Sequence, residues 1–365
     1  MSWFSDLSKR FLLAGVLAGV LMVSNAFRIA PINQARAAPL KVGLVVTESS
    51  IDDMSWNWLS YQGFLRAEDE LDVIGTLYTA ADNGDYENQA VQCATDGNSL
   101  CIGVGFLMID PFLNTADTYP GTNFAVVDGT AEDPPLNFRS INFVEEESGY
   151  LAGTLAGMMT TSHTIGVVGG IPVPEVVKFV EGYRNGAQCL DPGTLILITY
   201  ADSFTDPEQG ADIAEVQMDL GADLIFAAAG GTGTGALQYA TQHGAFAIGV
   251  DVDEYLSTFE EGAVSGANLL LTSAMKRLDN GVYLTIADTV AGEFTSGLVH
   301  YSLADGGVGL APYHETEALV TQQMSGVLER VERGLMAGLI DPLGECPASL
   351  PAYVFMPNAM RAPVP

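Results

Sequence analysis

Two pairs of close-set acids, Asp52-Asp53 and Asp251-x-Asp253, are the residues whose types and spacing most directly suit chemistry, as general acid–base partners or as acceptors for hydroxyl groups. The chain carries 45 Asp and Glu against 14 Lys and Arg, so most of its carboxylates are solvated surface groups and spacing alone assigns these four no reaction. A second candidate is Gly231-Thr-Gly-Thr-Gly235-Ala236, set between a strand pattern and a helix pattern, with Asp251 twenty residues beyond Gly231. That is the layout of a dinucleotide fingerprint, but it falls in the third strand–helix unit of its half and not in the first. A glycine-rich turn that lets a neutral ligand approach the backbone is the preferred reading. There is no G-x-S-x-G elbow, and the four histidines (His163, His243, His300, His314) are scattered, so neither a nucleophilic centre nor a metal site is expected, and no cofactor. Trp56 and Phe204 each lie in a polar loop after a strand pattern, one in each half of the chain. Together they suit the two faces of a planar ligand, where stacking contributes about 1–3 kcal/mol per base.

Such residues need a scaffold, and the hydropathy pattern supplies one. Short apolar strand patterns at Lys41–Thr47, Val73–Thr79, Leu100–Gly105, Asn123–Asp128 and Ser140–Phe143 alternate with helical stretches. A second set follows the Ala/Gly/Met-rich helix Gly149–Met159, with strands at Thr164–Gly169, Leu195–Tyr200, Asp223–Ala228, Ala245–Val250 and Ala263–Leu270. A helix over Thr272–Ile286, a strand at Leu298–Ser302 and a helix over Glu315–Ala337 complete the pattern. Alternation of this kind implies parallel sheets wrapped by helices, here in two similar α/β lobes. The expected boundaries are 38–150 plus about 285–340 for the N-terminal lobe, 151–284 for the C-terminal lobe, and an extended Pro-rich tail over 341–365. Ligands of open parallel sheets bind beyond the carboxyl ends of the strands, which is where the polar loops fall.

The 365 residues are 48% hydrophobic, enough to bury two cores and to exclude a disordered acidic protein. A net charge of −31 has the wrong sign for nucleic acid or for a polybasic membrane patch. Residues 1–37 read as a cleaved export signal: Lys9-Arg10, an apolar run from Phe11 to about Phe27, then Ala35-Arg36-Ala37. The alternative is an uncleaved anchor. No Cys follows the site, so a lipoprotein is not expected. Without residues 1–37 the chain has 10 basic and 44 acidic residues, a net of −34, with Lys41, Lys178 and Lys276 as its only lysines. This acidity suits a saline habitat, where screening removes self-repulsion. In an oxidising compartment the four cysteines can pair, and Cys93–Cys101 with Cys189–Cys346 is the expected choice among three connectivities.

The stretch Ile51-Asp-Asp-Met-Ser-Trp-Asn57 with Gly63 resembles the opening motif of the basic membrane protein (BMP) family, nucleoside-binding proteins of ABC importers related to the purine nucleoside receptor of spirochaetes. The resemblance continues through Gly103-Val-Gly-Phe106, Asn123–Asp128, Gly149-x-Leu-Ala-Gly153, Gly169–Pro174 with Lys178–Tyr183, and Ser203-Phe-x-Asp-Pro207. It then takes in Gly221-Ala-Asp…Ala229–Gly233, Ile248-Gly-Val-Asp-x-Asp253 and Thr272–Asp279, covering about Lys41 to Tyr283 in order. It implies a type I periplasmic binding protein, expected as a monomer, that closes two lobes on a nucleoside and delivers it to an ABC permease with its ATPase in the inner membrane. No chemistry is then done on the ligand. Carried over by position, Trp56 stands where the family has a stacking Phe, and Phe204 matches the second stacking aromatic. Asn57 and Asp128 would face the base edge, Asp251 and Lys276 the ribose hydroxyls, and Gly230 would let the backbone approach. Asp53, Phe106 and Asp253, within the matching motifs, complete the candidate set. Trp58 and Glu254 stand where Gln is common in the family, which leaves the base preference open. The alternatives are a binding protein for another polar solute such as a sugar, and a nicotinamide enzyme built on Gly231–Asp251.

Overall fold

The computed structural model describes residues 39–49, 51 and 55–346, so the expected export signal, Asp53 and most of the expected tail lie outside the described residues. The described chain forms two six-stranded sheets. The first contains β1 (Leu40–Val46), β2 (Val73–Thr79), β3 (Leu100–Val104), β4 (Asn123–Val127) and β5 (Phe138–Phe143), joined through α1 (Trp56–Glu70), α2 (Tyr86–Thr95) and α3 (Ile109–Thr118). The second contains β6 (Thr164–Gly169), β7 (Leu195–Tyr200), β8 (Leu224–Ala228), β9 (Phe246–Asp251) and β10 (Leu270–Lys276). Its helices are α4 (Glu145–Met159), α5 (Pro174–Leu190), α6 (Pro207–Asp219) and α7 (Gly230–Gln242). After α8 (Leu278–Ala291), β11 (Gly297–Tyr301) returns to the edge of the first sheet, β12 (Val308–Leu310) joins the second, and α9 (Gln322–Met336) follows.

The strand orders are β2-β1-β3-β4-β5-β11 and β7-β6-β8-β9-β10-β12, so the two sheets repeat one topology. Every pairing is parallel except β10 with β12. Central strands such as β3 and β8 are buried along their whole length, as helices on both faces require, and read as unbroken apolar runs. The outer strands β2 and β7 are half exposed.

Three chain crossings join the lobes: Val144 between β5 and α4, Arg277 between β10 and α8, and residues 302–307 between β11 and β12. Helix α8 packs on α1 of the first lobe, whereas α9 packs on α4 of the second. Both β12 and α9 lie with the second sheet and its helices. The strand expected over Ala263–Leu270 is displaced, because Gly262 and Gly266 hold positive φ and turn the chain through short 3₁₀ segments. Strand β10 begins only at Leu270 and takes in the start of the helix expected over Thr272–Ile286. An apolar run of this length fits either element by periodicity alone. The helix expected over Glu315–Ala337 divides into a 3₁₀ turn, His314–Leu319, and α9, which Thr321 caps by accepting the Met324 N–H.

Glycines set the helix spacing that aims the strands. On α4, a Cβ at Gly149 or Gly153 would run into the carbonyls of Phe179 or Tyr183 on α5, and Gly182 and Gly186 face Glu146 and Tyr150 in return. The fingerprint-like glycines do the same work, with Gly235 of α7 lying against the Pro207 carbonyl of α6. Cys93 is bonded to Cys101, joining α2 to β3, and Cys189 to Cys346, tying the segment after α9 to α5.

Candidate ligand-binding site

In each sheet the chain leaves its first strand toward one edge and then continues on the other side, which puts a topological switch point between β1 and β3 and another between β6 and β8. Crevices at such points, beyond the strand carboxyl ends, are where open α/β sheets take ligands. At the first lies a cavity of about 170 Å³ lined by Thr47, Ser49, Trp56, Asn57, Val104, Gly105, Phe106 and Leu107. Trp56 opens α1 on one side of it, and Phe106, 59% exposed, follows β3 on the other. The Asn57 amide is spent inside the protein, donating to Thr47 Oγ1 at 2.8 Å and accepting the Thr47 backbone N–H at 3.3 Å. It fixes the end of β1 in the wall of the same cavity.

At the second switch point Phe204 lies against Gly170, where a Cβ would meet its ring, and its carbonyl approaches Gly230, which has φ +54°. The Thr232 N–H donates to that carbonyl at 3.3 Å, and the Thr232 hydroxyl accepts the Asp206 N–H at 2.9 Å. The loop carrying Phe204 is thus pinned to the first turn of α7.

Between these points a buried charge cluster joins the lobes. Asp128 follows β4 and Asp251 ends β9, equivalent places in the two sheets, and both hold left-handed backbone, φ +63° and +62°. Asp is among the few side chains that tolerate this region, and strain there concentrates at functional sites. Lys276, the last residue of β10, donates to both Asp128 oxygens at 3.1 and 2.9 Å, and each side chain is only 2% exposed. Its ammonium also lies 3.8 Å from Asp251 and 3.8 Å from Glu145, the first residue of α4. Trp56 presents its ring 4.9 Å from that ammonium and donates its indole N–H to Asp251 Oδ2 at 3.5 Å. Asp251 Oδ1 is buried and has no hydrogen bond among the described residues.

Burial sets the protonation in this cluster. Desolvation alone would lower the Lys276 pKa, but the charges of Asp128, Asp251 and Glu145 outweigh it and raise it, so the ammonium stays charged. Desolvation raises Asp251 in spite of Lys276, and pushes Glu145 up to about 7 against the pull of Lys276 and Lys178. Lys178 of α5 stands 3.3 Å from the second Glu145 oxygen.

Asp253 is placed differently from its neighbour Asp251. One of its oxygens lies 2.7 Å from His314 Nε2 and the other accepts the Tyr255 N–H at 3.2 Å, while the His314 ring stacks on Tyr255 at 4.1 Å. It braces the loop after β9. Sequence reading missed Glu145, because Glu145-Glu-Glu147 reads as the ordinary acidic first turn of a helix. It missed His314 because nothing local marks a lone His as a partner of a loop 61 residues away.

The fold is that of the type I periplasmic binding class. A solved structure of an ABC transporter solute-binding protein from Aeropyrum pernix K1 superimposes with a TM-score of 0.68 at 24% identity, over 87% of this chain and 98% of that one. The sequence profile of the Bmp family, described as ABC transporter substrate-binding protein PnrA-like, matches residues 40–337, and the chain belongs to that family. It is 32% identical over 286 residues to the ABC transporter nucleoside-binding protein BmpA of Lactococcus lactis, covering 74% of this chain and 81% of the relative. It is 31% identical over 292 residues to the CD4+ T-cell-stimulating antigen of Listeria innocua, covering 75% and 80%. Substrate-binding proteins of this family work outside the cytoplasm with a permease and its ATPase, and they are not enzymes.

Proposed function

We propose that the solute is a nucleoside, with a purine as the preferred base, captured between the lobes and delivered to the permease. The observation that carries this reading is the junction of Trp56 with Asp251: an aromatic face beside a switch-point cavity, its edge bonded to a partly buried carboxylate whose other oxygen faces the Lys276 ammonium at 3.8 Å. A nucleoside matches both halves, a planar base for the ring and adjacent sugar hydroxyls for the carboxylate, each such bond being worth about 1.5–3 kcal/mol. Phe204 at the second switch point is the second stacking surface. The acids Asp128 and Asp251 beside Lys276 would repel a phosphate, which favours a neutral nucleoside over a nucleotide. The name of the Lactococcus relative points the same way. The chain acts as a monomer, exported by a cleaved signal over residues 1–37.

Calorimetric titration of the protein from Ala38 onward, in salt, with inosine, guanosine, adenosine, their monophosphates and ribose tests this. Binding of a nucleoside but not of its phosphate or of ribose is expected, with Trp56→Ala weakening it by roughly 10- to 100-fold. Binding of ribose or another sugar, unaffected by Trp56→Ala, discards the reading.

A further inference from the structure

Helix α5 leaves the carboxyl end of β6 and returns to the start of the parallel strand β7, so its last turns lie at the strand amino ends. That is the end of the second lobe opposite the strand carboxyl ends and their crevice. A groove of about 410 Å³ opens there between Arg184, Gln188 and Cys189 of α5, Pro192, and the segment Leu343–Cys346. Its two walls are fastened together. Cys189 is bonded to Cys346, and the Asn185 amide donates to the Pro342 carbonyl at 2.9 Å. The cation in the wall, Arg184, is paired with Glu181 one turn earlier on α5. Apolar surface lies open on both sides: Leu343 is half exposed, as is Leu195, three residues past Pro192.

We propose that this groove seats a segment of the chain itself, Leu350-Pro-Ala-Tyr-Val-Phe-Met356, which straps onto the second lobe and covers Leu343 and Leu195. Residues 347–365 continue directly from Cys346 in the groove wall, so the disulfide starts the segment where it is to dock. Tyr353 is seven residues on, which at 3.3 Å per residue is a reach of at most about 23 Å. A tether this short holds the segment at a high local concentration over the groove, ahead of any partner in solution. Composition points the same way. Of these 19 residues, 11 are hydrophobic, one is basic (Arg361) and none is acidic, although the chain carries 45 acids. The segment therefore has apolar surface to bury, little charge to keep it in water, and a sign opposite to that of the body it would cover. None of this depends on which solute the cleft takes.

The test places a photo-reactive benzoylphenylalanine at Gln188, on the α5 wall, and maps the products of irradiation by mass spectrometry. A monomer-sized product joining position 188 to residues 350–356 is expected. Tyr353→Ser/Phe355→Ser keeps the chain length and the Cys346 tether, so it separates docking from mere proximity. In that variant the yield should fall at least about tenfold, as the loss of a buried aromatic contact implies. Binding of an apolar fluorescent dye should rise as Leu343 and Leu195 are uncovered. A reporter at Pro192, on the rim beyond α5, should give the same result where the substitution at Gln188 itself blocks the groove. Products confined to residues 347–349 from both reporters, or a yield that the double variant leaves unchanged, overturn the proposal. A covalent dimer as the main product also overturns it, and assigns the groove to a second copy of the chain.

Discussion

The two lobes share a strand order yet contribute unlike things to the cleft. The first lobe presents a cavity at its switch point with an exposed aromatic, Phe106, on its rim, and Asn57 in its wall is bonded to Thr47. The second lobe has its switch point filled, with Phe204 packed against Gly170 and Gly230, and it supplies Asp251 and Lys276. One topology thus provides an apolar receptacle on one side and buried charge on the other. A shared fold therefore tells where a ligand goes, while side chains at equivalent positions decide what each half does there.

The lobes are also stapled differently, and reduction of the disulfides gives the largest expected contrast. Cys189–Cys346 spans 157 residues and Cys93–Cys101 spans 8. Loop-closure entropy then assigns about 5 kcal/mol to the first and about 2.5 kcal/mol to the second. Cys346→Ser should lower the denaturant midpoint clearly more than Cys101→Ser paired with Cys93→Ser. Equal losses would show that the long staple constrains the unfolded chain no more than the short one.

Acid titration separates the halves next. Burial pushes Glu145 and Glu254 from an ordinary value of 4.5 to about 7, and both belong to the second lobe. Their folded form prefers the proton, so the stability they contribute is present below about pH 4.5 and is lost as pH rises through about 7. Each contributes up to roughly 3 kcal/mol. Thermal unfolding should therefore give a falling Tm between about pH 5 and pH 8, and Glu254→Gln should flatten that slope. A Tm that rises across this interval contradicts the assignment.

The smallest expected effect is the sharpest between the aromatics. Phe106→Ala removes an exposed ring, so unfolding should shift by less than about 0.5 kcal/mol while inosine binding weakens by about 1 kcal/mol. Phe204→Ala should lower both, because that ring packs on Gly170 and the adjoining core. Equal stability losses for the two variants would remove the distinction between an open and a filled switch point.

The paired α/β pattern and the class of protein were both legible in the sequence. Parallel strands covered on both faces must be continuous apolar runs, and β3, β4, β6 and β8 are such runs between polar loops. The boundary residues of β10 were not legible, since Leu269–Met275 suits helix or strand and only pairing with β9 and β12 decides. Nor was the membership of β12 and α9, because a three-residue strand carries no period and a helix carries no label of the sheet it will cover.

Residue types alone determined that aromatics and aspartates would lie at strand ends, since strand periodicity and turn chemistry are local properties. Only the tertiary structure decided their partners: Lys276 with Asp128 across 148 residues, Trp56 with Asp251 across 195, and Asp253 with His314 across 61. Those pairings depend on three chain crossings that bring strand carboxyl ends of the two sheets together, and the charge state of each group follows from the burial that this meeting creates.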